Sequence, residues 1–162
     1  MKKKIALFIT GLLMAVSANA QFEQGKVYVN ANLSGFDFSH NGLMGSHFDI
    51  GAKGGYLISD NFSLLADINY TYYKDQFDKF NVGAGARYHI SQNGLYLGAG
   101  VNLMVFEGTD VAPSVNVGYT FFLNKTVTIE PELYYRQSLV NHDDYSTVGF
   151  RIGIGIYFDE LF

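Results

Sequence analysis

Residues 80–90 read Phe80-Asn81-Val82-Gly83-Ala84-Gly85-Ala86-Arg87-Tyr88-His89-Ile90. Every second residue is apolar: Phe80, Val82, Ala84, Ala86 and Tyr88. Between them stand Asn81, Gly83, Gly85 and Arg87, with His89 at the end. Period two is the side-chain repeat of an extended strand, so this stretch has one oily face and one polar, glycine-rich face. The fold turns on which of those faces points inward.

The same alternation recurs along the chain in eight segments: Lys26–Phe38, His47–Ile58, Phe62–Tyr73, Phe80–Ile90, Leu95–Phe106, Val111–Phe122, Val127–Leu139 and Tyr145–Phe158. The breaks between them carry turn chemistry, as in His40-Asn41-Gly42, Ser59-Asp60-Asn61, Ser91-Gln92-Asn93-Gly94, Leu123-Asn124-Lys125 and Asn141-His142-Asp143. No amphipathic helix is legible after Lys26. The first segment changes phase at Gly35, as a bulge allows. The second face of the segments collects Asp49, Lys53, Asp67, Arg87, Glu130, Glu132, Arg136 and Arg151, four acids and four bases, together with most of the strand glycines and several asparagines.

A soluble barrel would have to pack all the apolar side chains inside, where an eight-stranded tube is barely wide enough for its side chains. It would also expose strand glycines to water with no packing gain. The inverted arrangement removes both difficulties. Apolar side chains meet lipid, glycines relieve a narrow lumen, and the balanced charges pair inside. Strands of about ten residues in an even number match a transmembrane barrel. The expected fold is therefore all-β, an eight-stranded antiparallel transmembrane β-barrel with a polar lumen. Aromatic residues fall in two bands: Tyr56, Phe62, Tyr88, Tyr119, Phe121 and Phe158 near one end, and Phe48, Tyr70, Tyr72, Phe80 and Tyr135 near the other. Both termini are expected on the periplasmic side. Pro113 and Pro131 strain this scheme, because a closed barrel has no edge to hide a missing donor; Pro113 is expected at the loop end of its strand, and Pro131 needs a bulge or a water.

The chain of 162 residues has no Cys, which removes disulfides and thiolate metal sites. Charged residues are 16%, low for a water-facing surface. Residues 1–20 read as a cleaved signal peptide: Lys2, Lys3 and Lys4, an apolar run from Ile5 to Val16, and Ala18-Asn19-Ala20 with cleavage after Ala20. The apolar run is too short to span a membrane as a helix. Residues 21–162 then form the barrel domain. Losing three of eleven basic residues leaves 8 against 15 acidic ones, a net charge of −7 that excludes a basic nucleic-acid-binding surface.

Arg151-Ile152-Gly153-Ile154-Gly155-Ile156-Tyr157-Phe158 resembles the terminal β-signal of outer-membrane barrels, carried by Arg151, Gly153, Ile156 and Phe158. Thr128-Ile129-Glu130-Pro131-Glu132-Leu133 is similar to strands of the same proteins. On these motifs the chain resembles the small eight-stranded outer-membrane barrels of the OmpA/OmpX/OmpW type, and more narrowly the outer-membrane β-barrel domain proteins common in Bacteroidetes-like bacteria. One departure is that the chain runs on from Asp159 to Phe162. The resemblance implies a bacterial outer-membrane location, contact with the bilayer and lipopolysaccharide, handling by the barrel assembly machinery, and a monomer. It implies a non-enzymatic envelope role: structural integrity, surface interaction or limited small-solute passage. A narrow OmpW-like channel for small or hydrophobic solutes, or a lipid-modifying enzyme, are the alternatives.

The strongest candidate site is the lumen network of Lys53, Asp67, Arg87, Glu130, Glu132, Arg136 and Arg151, as a salt-bridged plug or a polar pathway. Catalytic candidates are poor. Ser46 and His47 are adjacent and point to opposite strand faces, and His142-Asp143-Asp144 reads as a hydrated loop. His89 reads as a polar neighbour of a turn, and no spacing of ligands supports a metal. Asp75, Asp78, Asp143 and Asp144 read as solvated loop charge. Gly83-x-Gly85 and Gly98-x-Gly100 precede no helix and are no phosphate loop. No cofactor is expected.

Overall fold

The computed structural model describes residues 22–33, 38–40, 47–73, 79–90, 93–105, 108–140 and 146–159. Ten strands occur among the described residues: β1 (Val27–Leu33), β2 (Phe38–His40), β3 (His47–Ser59), β4 (Phe62–Tyr73), β5 (Lys79–His89), β6 (Leu95–Val105), β7 (Thr109–Tyr119), β8 (Phe121–Phe122), β9 (Val127–Arg136) and β10 (Thr147–Phe158). They make eight staves, because β2 continues β1 and β8 continues β7. Each stave pairs antiparallel with its neighbours, and β10 pairs with both β9 and β1, which closes the sheet into a barrel. Closure leaves no edge, so the backbone is satisfied within the wall, as hydrocarbon surroundings require.

The wall is inverted relative to a water-soluble barrel. On β4, Leu64, Ile68, Tyr70 and Tyr72 are exposed outward, and on β6 so are Leu97, Val101, Leu103 and Val105. Inside lie Lys53, Asn69, Asn81, Arg87, Asn102, Glu130 and Glu132, all buried. Phe62 and Tyr70, eight residues apart on β4, mark the two aromatic bands. At about 3.4 Å per residue and about 40° of tilt they lie about 21 Å apart along the axis, near the roughly 25 Å apolar band of such barrels.

Two strands begin earlier than the apolar repeat alone indicates. β5 begins at Lys79 and β7 at Thr109, which brings Lys79 and Asp110 onto the inner face. The phase change expected at Gly35 falls on residues outside those described. On either side of them Asn32 is paired with Gly153 and Phe38 with Phe150.

Glycine and tyrosine face each other across the inner wall. Tyr28 is paired with Gly55, Tyr96 with Gly118 and Tyr134 with Gly149. Each ring lies over the bare backbone of its partner; a Cβ on Gly55 would stand 3.5 Å from the Tyr28 ring. Space that a side chain would take from the lumen is thus given to aromatic rings.

The prolines are accommodated differently from expectation. Pro113 is not at the end of β7 but paired with Val101 inside it. Its carbonyl accepts from Gln137 N–H at 2.9 Å, at the point where the β7–β9 ladder begins. Pro131 needs no bulge. It sits opposite Tyr119, the last residue of β7, and the register is unchanged into β8, with Gly118 facing Glu132 and Phe121 facing Ile129.

Candidate functional site

The inward faces of β1, β3, β5, β6, β9 and β10 meet in one ionic cluster. Glu132 is its hub. One carboxylate oxygen accepts from Arg151, and the other accepts from Tyr96 Oη at 2.9 Å and faces Lys53 Nζ and an Arg87 nitrogen, each at 3.5 Å. Glu130 accepts from Arg87 at 3.0 Å, from Tyr28 Oη at 2.5 Å and from Thr128 Oγ1 at 3.0 Å. Arg87 is 2% exposed and its guanidinium lies between two rings, 3.9 Å from the centroid of Tyr96 and 5.0 Å from that of Tyr28. Period two explains the convergence: Glu130 and Glu132 are successive inward positions on β9, and the register puts Glu132 directly opposite Arg151.

Three cations and two carboxylates, with the Tyr28 and Tyr96 hydroxyls donating to the carboxylates, offset most of the cost of burying these ions, while Arg87 Nε has no hydrogen-bond partner. Cation–π contact on both sides of Arg87 adds to this. The cluster spans the bore from wall to wall. Of the seven residues expected in a lumen network, five meet here: Lys53, Arg87, Glu130, Glu132 and Arg151. Asp67 faces the lumen opposite Lys53 but accepts from Asn69 Nδ2 at 2.8 Å, and Arg136 lies toward the loop end with its Cζ 5.7 Å from the Tyr134 ring.

The bore is also closed at the end that carries the tight turns. Phe22 enters the mouth, is fully buried, and stacks on His89 with ring centroids 3.6 Å apart. Phe122 and Tyr157 flank it at 5.6 Å each. The segment is pinned by Asn61 N–H donating to the Phe22 carbonyl at 2.8 Å and by Gly25 N–H donating to the Leu57 carbonyl at 2.9 Å. Gly25 has φ of 91°, a left-handed conformation open to glycine without strain, which lets the chain turn into the mouth. His89, expected as a polar neighbour of a turn, is next to one but fully buried as a packing partner of Phe22. At the other end Asp110 accepts from Ser138 Oγ at 2.5 Å and from Val140 N–H at 3.2 Å.

Several of these residues went unassigned in the sequence. Tyr28, Tyr96, Tyr134 and Tyr157 stand on the glycine-bearing face by simple parity, a signal masked by the usual reading of tyrosine as a lipid-interface residue. Phe22 precedes the first strand and carries no periodic signal. Among the described residues no group of three His, Asp or Glu side chains could hold a metal. Ser46, His142, Asp143 and Asp144 lie outside the described residues, as do Asp75, Asp78, Ala18 and Ala20. Of the terminal motif, Arg151 joins the ionic cluster, Gly153 faces Asn32 and Phe158 faces Val27 at the closing seam.

A closed antiparallel barrel with an apolar outer wall and an ion-paired bore is a transmembrane barrel of the outer-membrane type. The chain belongs to the outer membrane protein beta-barrel domain family, whose profile matches residues 6–159. No curated protein sequence matches the chain. Solved structures share the fold. The N-terminal β-barrel domain of Pseudomonas aeruginosa OprF is 15% identical with a TM-score of 0.64, over 83% of this chain and 98% of that one. Neisserial surface protein A is 18% identical with a TM-score of 0.62, over 82% and 96%. Yersinia pestis Ail in a phospholipid nanodisc is 13% identical with a TM-score of 0.58, over 83% and 100%. The protein is thus a bacterial outer-membrane barrel.

Proposed function

We propose that the protein is a non-enzymatic envelope barrel whose bore is sealed, so that its role is structural and not that of a through-pore. The observation that carries this reading is the Glu132 hub: Lys53, Arg87, Arg151 and Tyr96 converge on one buried carboxylate and occupy the cross-section. Phe22 supplies a second closure at the turn end, which on this reading faces the periplasm. An eight-stranded bore is filled by its side chains, so ions cannot pass without breaking the cluster. Tyr28, Tyr96 and the two glutamates are spent on Arg87 and its neighbours, and none is left aimed at a substrate.

Planar-bilayer recording is the direct test. Purified wild-type protein is expected to give no discrete conductance steps, and the Glu130→Ala/Glu132→Ala double variant, if it folds, flickering ones. Stable steps from the wild type, unaltered by that double substitution, would overturn a sealed bore and favour the narrow-channel alternative.

A further inference from the structure

Both prolines of the protein weaken the same seam. Gln137 N–H donating to the Pro113 carbonyl fixes the phase of the β7–β9 ladder, because bonded pairs alternate along antiparallel strands. In that phase Val115↔Tyr135 and Val117↔Leu133 are the bonded pairs, and the next bonded position on either side holds a proline with no N–H to give. The unbroken ladder covers five residue pairs here, against ten or eleven at β4–β5, β5–β6, β6–β7 and β9–β10.

Two hollows lie back to back across this stretch. Outside is a groove of about 290 Å³ walled by Leu97, Val115, Val117, Leu133, Tyr135 and Val148. Inside, on the loop side of the ionic cluster, is a hollow of about 40 Å³ bounded by Lys53, Asp67, Asn102, Ser114, Arg136 and Arg151. Val115, Asn116 and Tyr134 line both. Arg136 Nε is buried without a hydrogen-bond partner at the inner hollow.

We propose that the β7–β9 seam binds one long-chain carboxylate, with its hydrocarbon tail in the outer groove and its head drawn through the parted strands to Arg136. The outer groove opens onto acyl chains and is apolar, so a tail enters it from the membrane. The inner hollow has room for about two or three waters. A carboxylate fits that space, whereas a sugar or a phosphoglycerol head does not. A carboxylate also supplies the planar acceptor that a guanidinium matches with two parallel bonds. Parting the seam breaks only the two bonded pairs between the prolines, and the ladders on either flank keep the barrel closed. The inner hollow shares Lys53 and Arg151 with the ionic cluster, but the site uses neither Glu132 nor the Phe22 seal, so Arg136→Gln tests it without opening the bore.

The absence of cysteine allows a direct test. Val115 and Tyr135 form a bonded pair about 5.5 Å apart in Cα, within reach of a disulfide. Palmitate labelled with ¹³C at its carboxyl is titrated into barrel refolded in zwitterionic micelles. The expected result is a bound carboxyl resonance, distinct from the micellar one, saturating at about one per barrel. Arg136→Gln should weaken binding at least tenfold with gel mobility unchanged. Oxidised Val115→Cys/Tyr135→Cys should lose the resonance and regain it on reduction, while the control staple Val82→Cys/Leu103→Cys across β5–β6, which lines neither hollow, should keep it. Micellar signal alone from the wild type would overturn the proposal. So would equal binding by the stapled barrel, or equal binding of the methyl ester, which would leave a surface groove with no site for the head.

Discussion

Glu132→Gln removes one charge and almost no volume. The carboxylate is 3% exposed, and Lys53, Arg87, Arg151 and the Tyr96 hydroxyl all point at it. After the substitution Lys53 and Arg151 lose the carboxylate they pair with, and Arg87 keeps only Glu130. Breaking a buried pair by removing one partner costs about 3–5 kcal/mol, because the remaining charge is stranded. That is a large part of a typical total of about 5–15 kcal/mol. The barrel carries no Trp, so unfolding in urea is best followed by far-UV circular dichroism and by the heat-modifiable gel band. The midpoint should fall at an unchanged slope, since the surface exposed on unfolding is the same. Lys125→Gln, on an exposed turn, is the matched control and should stay within about 0.5 kcal/mol. A loss below about 1 kcal/mol for Glu132→Gln would refute the buried ionic hub, and with it the assignment of inside and outside.

Gly85 and Gly100 face each other across β5 and β6, and a Cβ on either would come within 2.6 Å of the Ala99 carbonyl oxygen or 2.8 Å of that of Ala84. Gly85→Leu and Gly100→Leu are each expected to yield only the unfolded gel band on refolding; a heat-modifiable band from both would place these residues on the wrong face. Phe22→Ala should cost about 3–5 kcal/mol, as for other buried aromatic truncations. It should also make His89 reactive to diethylpyrocarbonate, and an unreactive His89 in that variant would count against Phe22 as the seal.

The inversion was legible because each strand carries its own evidence. On β5 alone, Ala84 and Ala86 alternate with Gly85 and Arg87, and nothing but a lipid-facing wall makes sense of both faces. The members of the ionic cluster followed from the same parity. Their pairings did not, because register depends on turn length, which the alternation does not encode. Glu132 rather than Asp67 is the hub because β9 lies opposite Arg151, a fact of closure between distant stretches of chain. The prolines were seen as a difficulty, but the sharing of one seam by Pro113 and Pro131 appears only once β7 and β9 are neighbours. Phe22 was silent because a single docking ring has no period.

The berth of Phe22 is assembled from His89 of β5, Phe122 of β8 and Tyr157 of β10. None of those walls is complete until β10, the C-terminal strand, has joined. A ring that precedes β1 therefore waits for β10, and a chain stalled short of β10 shows water both Phe22 and the flat face of His89. Finished and unfinished barrels differ at that mouth by a stacked aromatic pair, which makes completion itself a chemically visible event.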